Sequence, residues 1–435
     1  MHKTDTSQKE MSASDLHRLS LRDFWRAFRE GGLAFQVLCL YMFIEYTRPQ
    51  TIYPAIDVIP WSMTTILVAI GAFVVTGQRL HARNPENTLF VLYFLVILLS
   101  SVFAYYPQDS LKALTIYLAW LIIYFLSINV VSTEKRFFVF LTLYLLWNVK
   151  MIQHGFLSWA ARGFSYSNWG VTGAPGWFQN SGEFGIQLTM AVPLLTMFTV
   201  ACWSAWSRAW RSIFLVLLMM GLGSVIATNS RGALVGVAGA MLWLVMKSKQ
   251  RVRALLVIIL VACIGYSVMP EESLQRFEKA GDDYTSNTRL KRWNDGIEII
   301  NNHPLLGVGY ANWIRYYREQ YPPAEGLEPW GLPHNIFIDA AAELGYPGLT
   351  LFVLMILATF VVNARTRREA LQHGDTFSVH ITHGLDAGMV GFLISGSFVS
   401  VLWYPYFWIA MTFTVALNET VRNSRTQRSE QIGNR

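Results

Sequence analysis

Charge is scarce in this chain: 14% of its 435 residues are charged and 53% are hydrophobic, where a soluble domain carries about 25% charged residues. Mean hydropathy is +0.32. That shortage excludes a disordered chain, a collagen-like rod and a conventional water-soluble enzyme. Cysteine is scarce too, and Cys39, Cys202 and Cys263 lie in or beside apolar runs. An odd number with no short ligand spacing suggests neither a disulfide framework nor a metal site. Internal repeats, low-complexity tracts and a soluble second domain are also lacking.

What is present is apolar sequence gathered into runs. About twelve segments stand out, near 32–47, 61–77, 88–105, 111–131, 137–157, 184–202, 212–228, 232–246, 253–269, 335–362, 385–402 and 403–419. Roughly 20 apolar residues cross about 30 Å of hydrocarbon as helix. The close pairs 212–228 with 232–246 and 385–402 with 403–419 read as tight helical hairpins, since a continuous span of that length overshoots a bilayer. The fold class expected is an all-α polytopic membrane protein of about twelve transmembrane helices. The first 31 residues hold Lys3, Lys9, Arg18, Arg22, Arg26 and Arg29. They are too long and too mixed in charge for a signal-peptide n-region, and no A-x-A-like site follows.

The net charge of +7 acquires a meaning once the chain is threaded. Basic residues resist translocation, and every second connection is basic, from Arg79 and Arg83 through Lys247, Lys249, Arg251 and Arg253 to Arg365, Arg367 and Arg368. Both termini are therefore expected on the cytoplasmic side. The predicted cytoplasmic segments hold 23 basic and 12 acidic residues, against 12 and 16 elsewhere. The basicity records topology, and nucleic-acid binding is rejected because the basic loops are short and dispersed. The organisation expected is a cytoplasmic segment 1–31, nine spans in 32–269, a periplasmic loop domain 270–334, three spans in 335–419 and a cytoplasmic tail 420–435.

Two long connections face the other side. In 270–334, Leu290, Trp293, Ile297 and Ile300 recur at spacings of 3, 4 and 3, one apolar helical stripe ending before Pro304, which predicts a helical periplasmic cap. The 158–183 connection is rich in Gly, Trp, Ser and Asn and reads as an irregular loop. Trp177, Asn180 and Glu183 end it and can meet sugar hydroxyls. Trp403, Tyr404, Tyr406 and Trp408 read as an interfacial aromatic belt.

Three stretches on that face carry chemistry. Asn229-Ser230-Arg231-Gly232 puts a guanidinium in a tight turn at the membrane surface. There it needs an anionic partner or a wet cavity, unless it snorkels to lipid headgroups. Arg289-Leu290-Lys291-Arg292-Trp293 places three cations on a helix, a phosphate clamp or a solvated face. His303-Pro304-Leu305-Leu306-Gly307-Val308-Gly309 follows and reads as a turn, since no strand precedes it and no P-loop Lys-Ser/Thr follows. Pro333-His334-Asn335 stands at the lip of the next span. His334 suits a general base at neutral pH, or caps a helix. Asp339 and Glu343 lie i, i+4 beneath it, as groups that orient His334 or receive a basic residue. Nearby sequence offers no metal-ligand spacing. Lys150 with His154, and Arg48 with Glu45, are lesser candidates at the same face.

In these stretches the sequence resembles the O-antigen ligase and polymerase superfamily of bacterial inner-membrane proteins. The matching pieces are Asn229 to Ala233, then Arg289 to Trp293 with His303 to Gly309, then His334-Asn335 running to Glu343-Leu344-Gly345-Tyr346-Pro347-Gly348-Leu349. Glu45-Tyr46-Thr47-Arg48-Pro49-Gln50 also resembles the O-glycosylation ligase branch of exosortase-containing bacteria. The resemblance implies a GT-C-like, metal-independent, inverting glycosyltransferase needing no cofactor. It would move a glycan from undecaprenyl diphosphate to lipid A-core at the periplasmic face. By the same resemblance Arg231 and Arg289 hold the diphosphate and His334 is the base. Arg292, Lys150, Arg48, Asn180 and Glu183 are candidate substrate contacts. Rival readings are an O-antigen polymerase, a protein O-oligosaccharyltransferase, and a transporter for the lipid-linked glycan, which would show charges deep in several spans and symmetry between halves.

Overall fold

A computed structural model describes residues 12–165, 170–174, 178–267, 284–321 and 330–433. Every regular element among them is helical. In chain order these are α1 (Ala13–Leu16), α2 (Leu21–Glu30), α3 (Leu33–Thr47), α4 (Pro49–Ile52), α5 (Trp61–Val75), α6 (Pro85–Val102), α7 (Pro107–Val130), α8 (Glu134–Ala161) and α9 (Ser181–Cys202). They continue as α10 (Arg208–Ala227), α11 (Arg231–Lys247), α12 (Arg251–Ser267), α13 (Tyr284–Asn302), α14 (Trp313–Gln320), α15 (Ile336–Gln372), α16 (Thr376–Gly396) and α17 (Pro405–Gly433).

Each apolar stretch read from the sequence falls on its own helix. Among the described residues six of these, α6, α7, α9, α10, α15 and α16, are long and apolar enough alone to cross a membrane, and α2 with α3 adds a seventh candidate bent by 117°. The chain is a polytopic membrane protein. Large apolar side chains such as Leu67, Val75, Val216 and Leu256 are exposed on the outer helices, as lipid-facing surfaces require.

Small residues set the centre of the bundle. Gly384, Gly388 and Gly391 bring α16 against Leu194, Met190 and Thr189 of α9, and Gly232, Gly236 and Gly239 bring α11 against Phe398, Ser395 and Ile394. A Cβ at Gly236 would stand 2.9 Å from the Gly391 carbonyl. Such stripes let backbones approach where lipid supplies no hydrophobic drive. The starts of α9 and α11 and the end of α16 thereby meet at one end of the bundle.

Two expectations need correction. The stretch 385–402 with 403–419 is no tight hairpin: α16 starts at Thr376, and a non-helical crossing, 397–404, separates it from α17. The aromatic belt is an interior feature. Tyr406 and Trp408 are each 1% exposed, Trp403 Nε1 donates to Glu343 (3.0 Å), and Tyr404 donates to Glu183 (2.8 Å). The polar atoms of Trp403, Tyr404 and Tyr406 find protein partners, so these three do not seek the headgroup layer.

The stretch 335–362 contains a break. Gly345 sits at φ 70°, ψ −174° within α15, two residues before Pro347. The freed backbone groups are met by the 303–309 turn. Val308 N donates to Ala342 O (2.8 Å), Gly309 N to Glu343 O (3.2 Å), and Tyr346 N to Pro304 O (2.8 Å). Gly307, at φ 66°, lies so close that a Cβ would stand 2.3 Å from the Glu343 carbonyl carbon. The Glu343 carboxylate then accepts from Ala311 N (2.9 Å), Trp313 N (3.1 Å) and the Trp403 indole. Around this joint Ile299, Val308, Trp313, Tyr317, Ala341 and Ala342 form a second small core.

The apolar stripe read on α13 is buried only in part. Ile300 is buried and Trp293 partly so, while Leu290 and Ile297 are about half exposed. Thr288, Arg292, Asp295 and Ile299 complete the buried face, where polar side chains hold other backbone and side-chain groups.

Gly345→Ala should cost about 1–3 kcal/mol from its backbone conformation alone. The added Cβ would also meet the Leu305 carbonyl carbon at 2.6 Å. Thermal unfolding in detergent should fall clearly for this variant and not for Gly71→Ala, where a Cβ meets nothing within 4 Å.

Candidate functional site

A short strap, 330–335, presents His334. Its carbonyls are taken one by one by side chains of the cap. Arg292 donates to Trp330 O (3.0 Å) and Leu332 O (3.4 Å), Trp313 Nε1 to Gly331 O (2.9 Å), and Trp293 Nε1 to Pro333 O (2.7 Å). His334 N donates to Ser400 Oγ at 2.8 Å, and Asn335 Oδ1 accepts from Phe337 N and Ile338 N to start α15. His334 holds φ 54°, a left-handed conformation that histidine adopts more readily than most residues. So many anchors fix one ring position.

The imidazole is partly buried, and its Nδ1, shielded from solvent, meets no hydrogen-bond partner among the described residues. Burial, reinforced by the positive charges of Arg289 and Arg292, pushes its pKa down to about 4. A neutral histidine is thus held beside two guanidinium groups. Asp339, 3% exposed, lies one helical turn on, and its carboxylate reaches Ser400. Ser400 therefore links Asp339 to the main chain of His334. Neither the serine nor its crossing carried any signal in the sequence.

The three cations of the cap motif part company. Arg289 lies near enough for its charge to act on His334. Lys291 pairs with Asp295 at 2.8 Å. Arg292, 3% exposed, donates to the strap carbonyls of Trp330 and Leu332, and its charge bears on His334.

Arg231 opens α11, and Ser230 caps that helix by accepting from Ala233 N (3.3 Å). The next residue ties the turn to the crossing: Ser395 Oγ donates to Gly232 O (3.0 Å), and Gly232 packs on Phe398. Phe398 in turn lies 6.4 Å, ring to ring, from Trp293. The Arg231 turn and the His334 strap thus share one anchor, the 395–400 segment.

The other candidates separate. Lys150 and His154 share a face of α8, and His154 meets the Thr172 backbone. That loop joins the Arg231 turn, with Val171 N donating to Ala227 O (2.8 Å). Asn180 is the cap of α9, accepting from Gly182 N (2.7 Å), and Glu183 holds Tyr404. Trp177 lies outside the described residues. Arg48 pairs with Glu45 at 3.3 Å and lines a separate cleft of about 430 Å³ with Trp61, Ser62 and Trp120. None of the His334 group lines that cleft. Among the described residues no three His, Cys, Asp or Glu side chains gather as a metal-binding group.

Comparison with known proteins bears on this end of the molecule. Residues 213–353 match the family described as O-antigen ligase. The chain is 30% identical over 241 residues to the O-antigen ligase of Pseudomonas aeruginosa, an alignment covering 53% of this chain and 55% of that protein. It is 35% identical over 85 residues to the exopolysaccharide production protein ExoQ of Rhizobium meliloti, covering 18% and 20%. The chain thus spans about half the length of the first relative and a fifth of the second. The segment matched by the family model contains Arg231, Arg289, Arg292, His334, Asp339 and Glu343.

Proposed function

We propose that this protein is an O-antigen ligase of the bacterial inner membrane, with both termini cytoplasmic and the His334 end facing the periplasm. It transfers a glycan from undecaprenyl diphosphate to a lipid A-core hydroxyl. The observation that carries the proposal is a neutral, rigidly held histidine beside Arg289, on the segment that also anchors the Arg231 turn. Arg231 and Arg289 take the donor diphosphate as bidentate partners and stabilise the charge that grows on it as it leaves. His334 accepts the proton of the acceptor hydroxyl as that oxygen bonds to the anomeric carbon and the carbon–diphosphate bond breaks. Configuration inverts, and undecaprenyl diphosphate departs. Lys150, beneath the Arg231 turn, assists the anion. A second reading, polymerisation onto a carrier-linked glycan, is favoured by the similarity to ExoQ.

Reconstitution of the purified protein with undecaprenyl diphosphate-linked glycan and lipid A-core, with EDTA present, tests the reading. A shift of the core band supports the ligase; a ladder on the carrier supports the polymerase. Arg231→Ala, Arg289→Ala and His334→Ala should each lower transfer by about 10²-fold or more while the protein stays in the membrane. Wild-type transfer by all three overturns the assignment.

The pH profile offers a separate check. An imidazole lowered to about 4 is unprotonated at every pH well above 4, so the acid limb of kcat/KM should fall near pH 4, not near 6.5. Arg289→Gln removes a like charge and should move that limb upward. The unfolded chain takes up this proton near pH 6.5, so stability from the neutral imidazole is complete above 6.5 and is lost as pH falls toward 4.

A further inference from the structure

At the opposite end of the central helices lies a cleft that the proposed reaction does not use. From Arg231 to Lys247, α11 rises about 25 Å, so its far end is remote from His334. There α12 packs on α11 and stands off from α9 and α16, leaving a cavity of about 720 Å³. Its floor is apolar, with Met197, Val200, Met241, Leu244, Val257 and Ile258. Its rim holds Lys247, Lys249, Arg253, His380 and His383, and no carboxylate lines it. Among the described residues no acidic side chain lies within ion-pair distance of Lys247, Lys249 or Arg253. Asp386, on which the Lys247 charge also acts, is itself paired with Arg367 at 2.9 Å.

Repelling cations crowded around an apolar slot call for an occupant with both an anionic head and an apolar tail. We propose that this cleft binds an anionic membrane phospholipid, its acyl chain between α12 and α9 and its phosphate among Lys247, Lys249 and Arg253. Zwitterionic lipid offers the same chain with a compensated head, and free phosphate offers the head alone. The occupant fills the space that keeps α12 from the bundle, and it bears on the three helices whose other ends carry Asn180, Arg231 and Ser400.

Native mass spectrometry of the full-length protein in detergent, with added phosphatidylglycerol, phosphatidylcholine or inorganic phosphate, tests this. Phosphatidylglycerol should be retained at least tenfold better than phosphatidylcholine. Inorganic phosphate should not displace it. The triple variant K247Q/K249Q/R253Q should lose affinity by roughly fivefold for each charge, with thermal unfolding unchanged. Ala254→Trp, which leaves every charge in place and fills the apolar slot, should weaken retention as well. If the triple variant is unstable, Lys247→Gln and Arg253→Gln alone carry the same expectation. Equal retention of the two lipids, displacement by phosphate, or retention untouched by either kind of variant would overturn the proposal.

Discussion

The break in α15 at Gly345 is the constraint on which the candidate site depends. An unbroken helix would pair the Ala342 carbonyl with the Tyr346 N–H and leave the Glu343 carbonyl facing Pro347, which has no N–H. The break releases that pair as well, and in a membrane-embedded protein free backbone groups must find protein partners. The 303–309 turn supplies those partners, with Ser100 Oγ adding a bond to Glu343 O (2.8 Å). The cap is thereby joined to the bundle backbone to backbone. Side-chain substitutions on the cap surface leave that joint intact, whereas a Cβ at Gly307 or Gly345 does not.

From this joint the geometry of His334 follows. Glu343 secures Trp313 by its main chain, and Trp313 holds Gly331 by its indole. Arg292, on the helix entering the same joint, holds Trp330 and Leu332. A buried guanidinium is costly unless its donors are satisfied, and here the Trp330 and Leu332 carbonyls accept from two of its nitrogens. Its charge, with that of Arg289, adds to burial in keeping His334 unprotonated.

Much of this was legible in the sequence. Runs of apolar residues located the helices, since the bilayer length and the 1.5 Å rise leave little freedom. Arg231, Arg289 and His334 stood out as polar groups at membrane edges. Gly345 and Pro347 marked a turn, and Gly307 and Gly309 marked another, but nothing in the spacing showed that each satisfies the other. The backbone partners of Arg292 and Glu343 were silent, because a carbonyl or N–H brought close only by the fold leaves no mark on the spacing. Leu290 and Ile297 misled: both are apolar members of the stripe and both are about half exposed. Ser400 was silent, being one serine among many.

Under the proposed reaction, the same charges that depress the imidazole also prepare it. In the empty site Arg289 and Arg292 oppose a proton on His334, so the ring is in its basic form at any physiological pH. A strongly depressed base is a weak one, and by itself would accept an acceptor proton poorly. A diphosphate between Arg231 and Arg289 offsets their charge and restores proton affinity to the ring. Base strength then rises only when the donor is present. The cost of placing like charges together in a buried site is thus offset by the ligand, and its arrival, rather than a conformational change, makes His334 competent.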